Sequence, residues 1–358
     1  MDRVMETTGM SDEATNEEQG IVYLGIDLGT SRTSVSSSNG NRETIESFVG
    51  YPKDPVARKL LGRDVLFGEE AREKRLSLRL HRPLAHGVLT FNEEGEDKES
   101  LQAAQDLVRE IVARAKPRAD ELVYAVIGVP AQASIHNKDA ILKAARESVD
   151  SVMLCSEPFA VAYGQNMLDD ALVIDIGAGT VDLCRMHGTM PEESDQLTMT
   201  TAGDFVDDEL AKEISSAHPD AQHTKQMLKA IKEKHSTVEP EAAGIVVQLP
   251  VNGKPTDFDI TDCLKAACGR IVPPIVEGLG KLIATFDPEF QERLKGRVVL
   301  AGGGSMIKGL DRAIEAYMKE HLGSGTVVRL EEPIYGGANG ALNIAHDMPE
   351  EYWTELRD

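Results

Sequence analysis

Basic residues are scarce in this chain: 38 Lys and Arg stand against 60 Asp and Glu, a formal net charge of −22. A nucleic-acid surface is excluded on that balance, because gripping a phosphate backbone needs clustered Lys and Arg. The same charge predicts that any assembly of like copies depends on cations and salt to screen repulsion. Cysteine is rare too. Cys155, Cys184, Cys263 and Cys268 form no C-x-x-C pair and have no histidine at zinc spacing, so they read as buried structural thiols of a reducing cytoplasm. No apolar run approaches the ~20 residues of a membrane span. The N-terminus has no basic region followed by an apolar stretch, and the expectation is a soluble, unexported protein. Aromatics are only 4% while Ala, Val, Ile, Leu and Gly abound, which favours an α/β class; 358 residues suffice for two domains.

What is present centres on residues 173–183, Val-Ile-Asp-Ile-Gly-Ala-Gly-Thr-Val-Asp-Leu. They read as a strand, a tight turn and a second strand. Glycines at such a turn let successive backbone N–H groups approach an anion and form a cradle for phosphate. Asp175, just before the turn, is placed to hold a hydrated Mg²⁺ against the same phosphates. Residues 25–35, Gly-Ile-Asp-Leu-Gly-Thr-Ser-Arg-Thr-Ser-Val, carry the same Ile-Asp-x-Gly-x-x pattern about one domain length earlier. Two such hairpins suggest two related halves closing on one nucleotide.

The rest of the chain alternates strands and helices, as expected for mostly mixed or parallel sheets with helices on their faces. Residues 1–20 are acidic, make no sustained apolar face, and read as a disordered tail. Residues 44–49 form a third strand, and residues of about 50–95, with several prolines and dense charge, a small irregular insertion. Ser100 caps a helix that Pro117 ends. Residues 122–129 form a nearly continuous apolar strand of the kind covered on both faces. Pro158 opens a helix, and Pro273-Pro274 should bend or break the long helix that Thr261 caps. Residues 301–305, Ala-Gly-Gly-Gly-Ser, link a strand to a helix expected from about Met306.

Competing readings of these motifs differ in strength. A dinucleotide fingerprint at Gly177-Ala178-Gly179 would need its third glycine at Asp182, and the following alternation is that of a strand. Gly302-Gly303-Gly304 is not followed by Gly-Lys-Ser/Thr, so it is no Walker loop. It suits close approach of a flat base or an α-phosphate. Glu157 is either a first-turn acid favourable to its helix dipole or a cleft group that positions water. Lys232 and Glu233 read first as a solvated charged helix face. His81, His86 and His136 show no ligand spacing and receive no chemistry.

Together these stretches resemble the actin and heat-shock ATPase superfamily. Residues 25–35 resemble its phosphate-one motif, residues 173–183 its phosphate-two motif and residues 298–310 its adenosine motif. Residues 127–131 with 156–164 resemble the first connecting segment, and 336–345 the second. Within the superfamily the chain is most similar to the bacterial actins of magnetosome filaments, on residues 48–54, 202–208 and 349–353.

The resemblance implies an actin-like fold of two α/β halves, residues 21–170 and 171–345, each with a central mixed sheet flanked by helices and with the nucleotide between them. It also implies a small subdomain at about 204–270 and a C-terminal segment, 346–358, packing back on the first half. The implied activity is ATP hydrolysis with Mg²⁺, coupled to a homopolymeric cytoplasmic filament that positions magnetosome organelles through adaptor proteins on their vesicles, without inserting into the membrane. Asp27 and Asp175 would serve Mg²⁺. Gly29, Thr30, Ser31, Gly177, Gly179 and Thr180 would cradle phosphates, and Glu157 with Asp175 would serve hydrolysis. Lys232 and Glu233 match an adenine-contacting pair, and Gly302, Gly303, Gly304 and Met306 would line the purine. Ser34 stands where eukaryotic actin has its phosphate-one lysine.

The rival reading within the superfamily is a small-molecule kinase, in which a cleft carboxylate deprotonates a substrate hydroxyl. A chaperone is disfavoured because no peptide-binding domain follows. A third reading is a cleft that only binds ATP, as an assembly switch.

Overall fold

The computed structural model describes residues 20–90 and 98–357. The tail expectation for residues 1–19, and the insertion expectation for residues 91–95, lie outside the described residues.

Two five-stranded sheets share one topology. In the first, Ile21–Leu28, Arg32–Ser37 and Arg42–Glu46 form an antiparallel meander. Ile21–Leu28 also pairs in parallel with Leu122–Val129, which pairs in parallel with Ser151–Ser156. In the second, Ala171–Ile176, Val181–Met186 and Gln196–Met199 form the meander, and Ala171–Ile176 pairs in parallel with Val298–Ala301, itself beside Val327–Arg329. Strands covered on both faces have no polar side to show water, and Ala171–Ile176 is accordingly buried at every position.

Each half has its own core. Leu24, Ile26, Leu107, Ile111 and Ile127 anchor the first; Ile174, Leu183, Leu210, Leu264 and Leu300 anchor the second. A third cluster joins them, with Tyr124, Val126, Phe159, Val173, Ala341 and Trp353 packed around the helices Glu157–Gly164 and Gly336–Asp347. These helices cross so closely that a Cβ on Gly340 would sit 1.7 Å from the carbonyl oxygen of Ala160. Only glycine fits there. Trp353, on the short helix Glu350–Glu355, is fully buried and stacks on Tyr124 of the first sheet, with ring centroids 5.1 Å apart.

Several boundaries differ from the sequence reading. The expected strand 44–49 divides: Arg42–Glu46 ends the first sheet, and Val49–Pro52 joins Leu66–Phe67 and Leu78–His81 in a separate three-stranded sheet. The insertion therefore has regular structure, with two short helices and a small core of Leu66, Ala71 and Leu78. Ser100 lies inside the helix Lys98–Arg114 rather than capping it. The break in the long helix falls at Arg270 and Ile271, and Pro273 and Pro274 stand in the first turn of Val272–Ala284, where a proline loses no intrahelical bond. After Gly302 comes a 3-10 turn, Gly303–Met306, before the helix Leu310–Leu322.

Candidate functional site

The two hairpins face each other. Register pairs Leu28 with Thr33 in one and Ile176 with Val181 in the other, leaving four-residue turns at 29–32 and 177–180. Between them lies a cavity of about 430 Å³, lined by Asp27, Gly29, Thr30, Ser31, Glu157, Asp175, Gly177, Gly179, Thr180, Lys232, Glu233, Gly302, Gly303, Gly304 and Met306. Its wall thus contains every residue nominated from sequence. The volume falls in the ~300–1,000 Å³ range of small-molecule sites.

Local folding explains the placement. Asp27 and Asp175 occupy equivalent positions near the ends of their strands, one residue before the turn is entered. The second turn is closed by the Gly177 N–H donating to Thr180 O at 2.9 Å. The start of the helix Gly203–Ala217 holds it from outside, through the Gly203 N–H to Gly177 O at 3.1 Å and the Asp204 N–H to Ala178 O at 2.7 Å. Gly302 has φ +77°, and a Cβ there would meet Asp175 Oδ1 at 2.3 Å. Glycine at 302 is therefore a packing requirement of Asp175 as well as part of an open loop.

The floor is acidic. Burial, then the charge of Asp182, pushes the Asp27 carboxyl up to about 7. Burial, followed by the charges of Asp27 and Asp182, drives Asp175 well above the carboxylate range. Glu157, first residue of its helix, is driven up by burial and then by Asp27, Asp182 and Asp175. Asp182 is itself raised by burial, against hydrogen bonds from the Thr198 hydroxyl at 2.6 Å and the Ala131 N–H at 2.9 Å. Its Oδ2 is buried and has no hydrogen-bond partner among the described residues. Four carboxyl groups desolvated together favour their neutral forms, and a cation among them would favour the charged ones.

Mg²⁺ fits this donor set. Among the described residues no three His, Cys, Asp or Glu side chains converge on one point to hold an ion directly. Mg²⁺ keeps several waters and is held by one or two carboxylates plus substrate phosphates.

Sequence reasoning missed the residues that tie the turns together. Arg82 donates from Nε to Thr30 O at 2.9 Å and pairs with Asp204 at 3.0 Å. The Gly87 N–H donates to Thr30 Oγ1 at 2.9 Å, and His86 Nδ1 lies 3.3 Å from Gly179 O. One short segment of the insertion thus touches both turns, and His86, given no chemistry from its spacing, is part of it. Asp182 was legible in principle, since a four-residue turn makes it the cross-strand partner of Asp175. Lys232 is committed within its own half, to Gly203 O at 2.6 Å and Asp207 at 2.7 Å, while Glu233 pairs with Arg32 across the cleft.

The pattern of the MreB/Mbl protein family matches residues 22–350. The chain belongs to the MreB/Mbl family of actin-like proteins. It is 39% identical over 356 residues to the actin-like protein MamK of Magnetospirillum gryphiswaldense, an alignment covering 99% of this chain and 97% of that protein. Its fold superposes on a MamK double helical filament subunit with a TM-score of 0.88 at 39% identity, covering 92% of this chain and all of that one. A non-polymerising MamK mutant bound to AMPPNP matches with a TM-score of 0.71 at 38% identity, again over 92% of this chain and 100% of the other. The small-molecule kinase alternative finds no support among these family relatives. Among the described residues no helix is long and apolar enough to cross a membrane.

Proposed function

We propose that this chain is an ATP-binding subunit of a head-to-tail actin-like filament, that it hydrolyses ATP with Mg²⁺ to control filament turnover, and that the filament positions magnetosomes in the cytoplasm through adaptors on their vesicles. The observation carrying the reading is the cavity between two matching glycine turns, in a chain whose relatives include a MamK filament and a MamK mutant holding AMPPNP. In this reading residues 21–170 and 171–345 are two jaws, the unit at about 204–270 closes over the nucleotide, and residues 346–358 bind the C-terminus to the first jaw.

The roles follow from position. Backbone N–H groups of Gly29, Thr30, Ser31, Gly179 and Thr180 receive the phosphate oxygens, and Gly177, whose own N–H closes the second turn, shapes that cradle. Gly302, Gly303, Gly304 and Met306 flank the base, with Lys232 and Glu233 opposite. Mg²⁺, when bound, screens the phosphates against Asp27 and Asp175. Glu157 orients the attacking water, which with positioning and electrostatics is most of what phosphoryl transfer asks of a protein. A subunit stacked through unlike surfaces propagates without closing, as a filament requires.

High-speed pelleting with Mg-ATP, followed by cryo-electron microscopy of the pellet, tests the proposal. Nucleotide-dependent filaments are expected. A protein that binds ATP yet stays monomeric across a wide range of salt refutes the filament, and one that pellets without releasing phosphate refutes the hydrolysis.

A further inference from the structure

Three basic side chains line the cleft, Arg32, Lys229 and Lys232. Two are already neutralised, Arg32 by Glu233 at 3.0 Å and Lys232 by Asp207 at 2.7 Å. Lys229 has no carboxylate within ion-pair distance among the described residues. Its ammonium instead donates to Ser31 Oγ at 2.5 Å. That contact spans the cleft, because Lys229 belongs to the helix Lys225–His235 of the second half and Ser31 to the first glycine turn.

A half-buried ammonium whose one hydrogen bond is to a hydroxyl, with its nearest carboxylates beyond ion-pair distance, is under-compensated, since desolvating a charge is repaid chiefly by a close counter-charge. Burial, with the charge of Arg82, draws its pKa below the usual lysine range, against the more distant carboxylates of Glu233, Asp204 and Asp207. The first turn has no lysine of its own, and its one basic residue, Arg32, is engaged by Glu233. The first glycine turn and the Lys229 ammonium thus approach one place from opposite halves, an arrangement suited to an anion.

We propose that Lys229 is the cationic ligand of the nucleotide's phosphate chain, supplied from the opposite half of the molecule. This deepens the ATP-binding reading and rests on it. With phosphate present the ammonium bridges it to Ser31, so occupancy of the phosphate subsite draws the helix Lys225–His235 towards the first turn. Adenosine, which lacks phosphate, makes no such demand on Lys229.

The test titrates the full chain, below its assembly concentration and with Mg²⁺, with ADP and with adenosine, comparing the wild type with Lys229→Met and Lys229→Arg. Loss of a charge-assisted hydrogen bond is worth about tenfold or more in affinity. Lys229→Met is expected to weaken ADP by that factor and leave adenosine within about twofold, with Lys229→Arg recovering most of the loss. Unchanged ADP affinity, or equal weakening of ADP and adenosine, overturns the proposal. A wild type that binds neither ligand would instead refute the nucleotide reading itself. Should Lys229→Met fail to fold, acetic anhydride labelling of the wild type decides: protection of Lys229 by ADP but not by adenosine supports the role, and equal labelling overturns it.

Discussion

Arg32, the last residue of the first glycine turn, and Glu233, on a helix of the opposite half, meet at 3.0 Å across the cleft. Their side chains are 37% and 34% exposed, so water and salt screen the pair and its worth is ~0.2–1 kcal/mol. Reversing one charge, as in Arg32→Glu, should cost the nucleotide-free protein up to ~1 kcal/mol in urea unfolding at low salt, and the double reversal Arg32→Glu with Glu233→Arg should recover most of it. A double reversal no more stable than the single would show that the pair does not hold the cleft.

The proposed hydrolysis rests on Glu157. Its replacement by Gln keeps size and hydrogen bonding but removes the carboxylate that orients water. Phosphate release should fall by about 10²-fold or more, with ADP affinity and pelleting retained. Unaltered turnover in Glu157→Gln would strip the residue of that role.

The acidic floor should make the nucleotide-free protein sensitive to pH. Asp27 titrates near 7 in the fold, raised by burial and then by Asp182, against ~3.9 in an unfolded chain. The folded state holds a proton the unfolded state releases, so stability present at low pH is lost as pH rises from about 4 through about 7. Between pH 5 and pH 8 the wild type should lose at least ~1 kcal/mol more than Asp27→Asn in urea unfolding. Parallel pH profiles for the two proteins would contradict this.

Gly302 and Gly303 are neighbours with different obligations. Gly302 has φ +77° with Asp175 behind it, whereas a Cβ on Gly303 meets nothing within 4 Å. Left-handed backbone costs a residue other than glycine ~1–2 kcal/mol before any clash is counted. Gly302→Ala should therefore destabilise clearly more than Gly303→Ala, and equal melting temperatures would refute the distinction.

Trp353 closes the far side of the molecule. Its indole N–H donates to Ala345 O at 3.3 Å, the Ser151 hydroxyl donates to Trp353 O at 3.2 Å, and the ring lies on Tyr124. Truncation to Ala should cost ~3–5 kcal/mol, as for other large buried side chains. A loss under ~1 kcal/mol would mean that the C-terminal helix is dispensable to the core.

Features set by neighbouring residues were legible in the sequence. The two glycine turns, the acids before them and the apolar runs at 122–129 and 173–176 carry their signals within about ten residues, and each took the expected form. Errors arose where short elements depend on distant partners. Val49–Pro52 is a strand because Leu78–His81 lies beside it, and the helix after Thr261 breaks at Arg270 and Ile271, before its prolines. Arg82 and His86 gave no spacing signal, since their partners Thr30, Asp204 and Gly179 lie far away in the chain.

By itself, the sequence determined the repeated hairpin, the acid ahead of each turn and the glycine loop at Gly302, because glycine conformation and strand alternation are local properties of the backbone. Tertiary structure alone decided which charges share the cleft. Burial brings Asp182 into one acidic floor with Asp27, Glu157 and Asp175, and the meeting of the halves leaves Lys229 facing Ser31 rather than a carboxylate. Those outcomes depend on desolvation and on distances across the fold, which no run of neighbouring residues encodes.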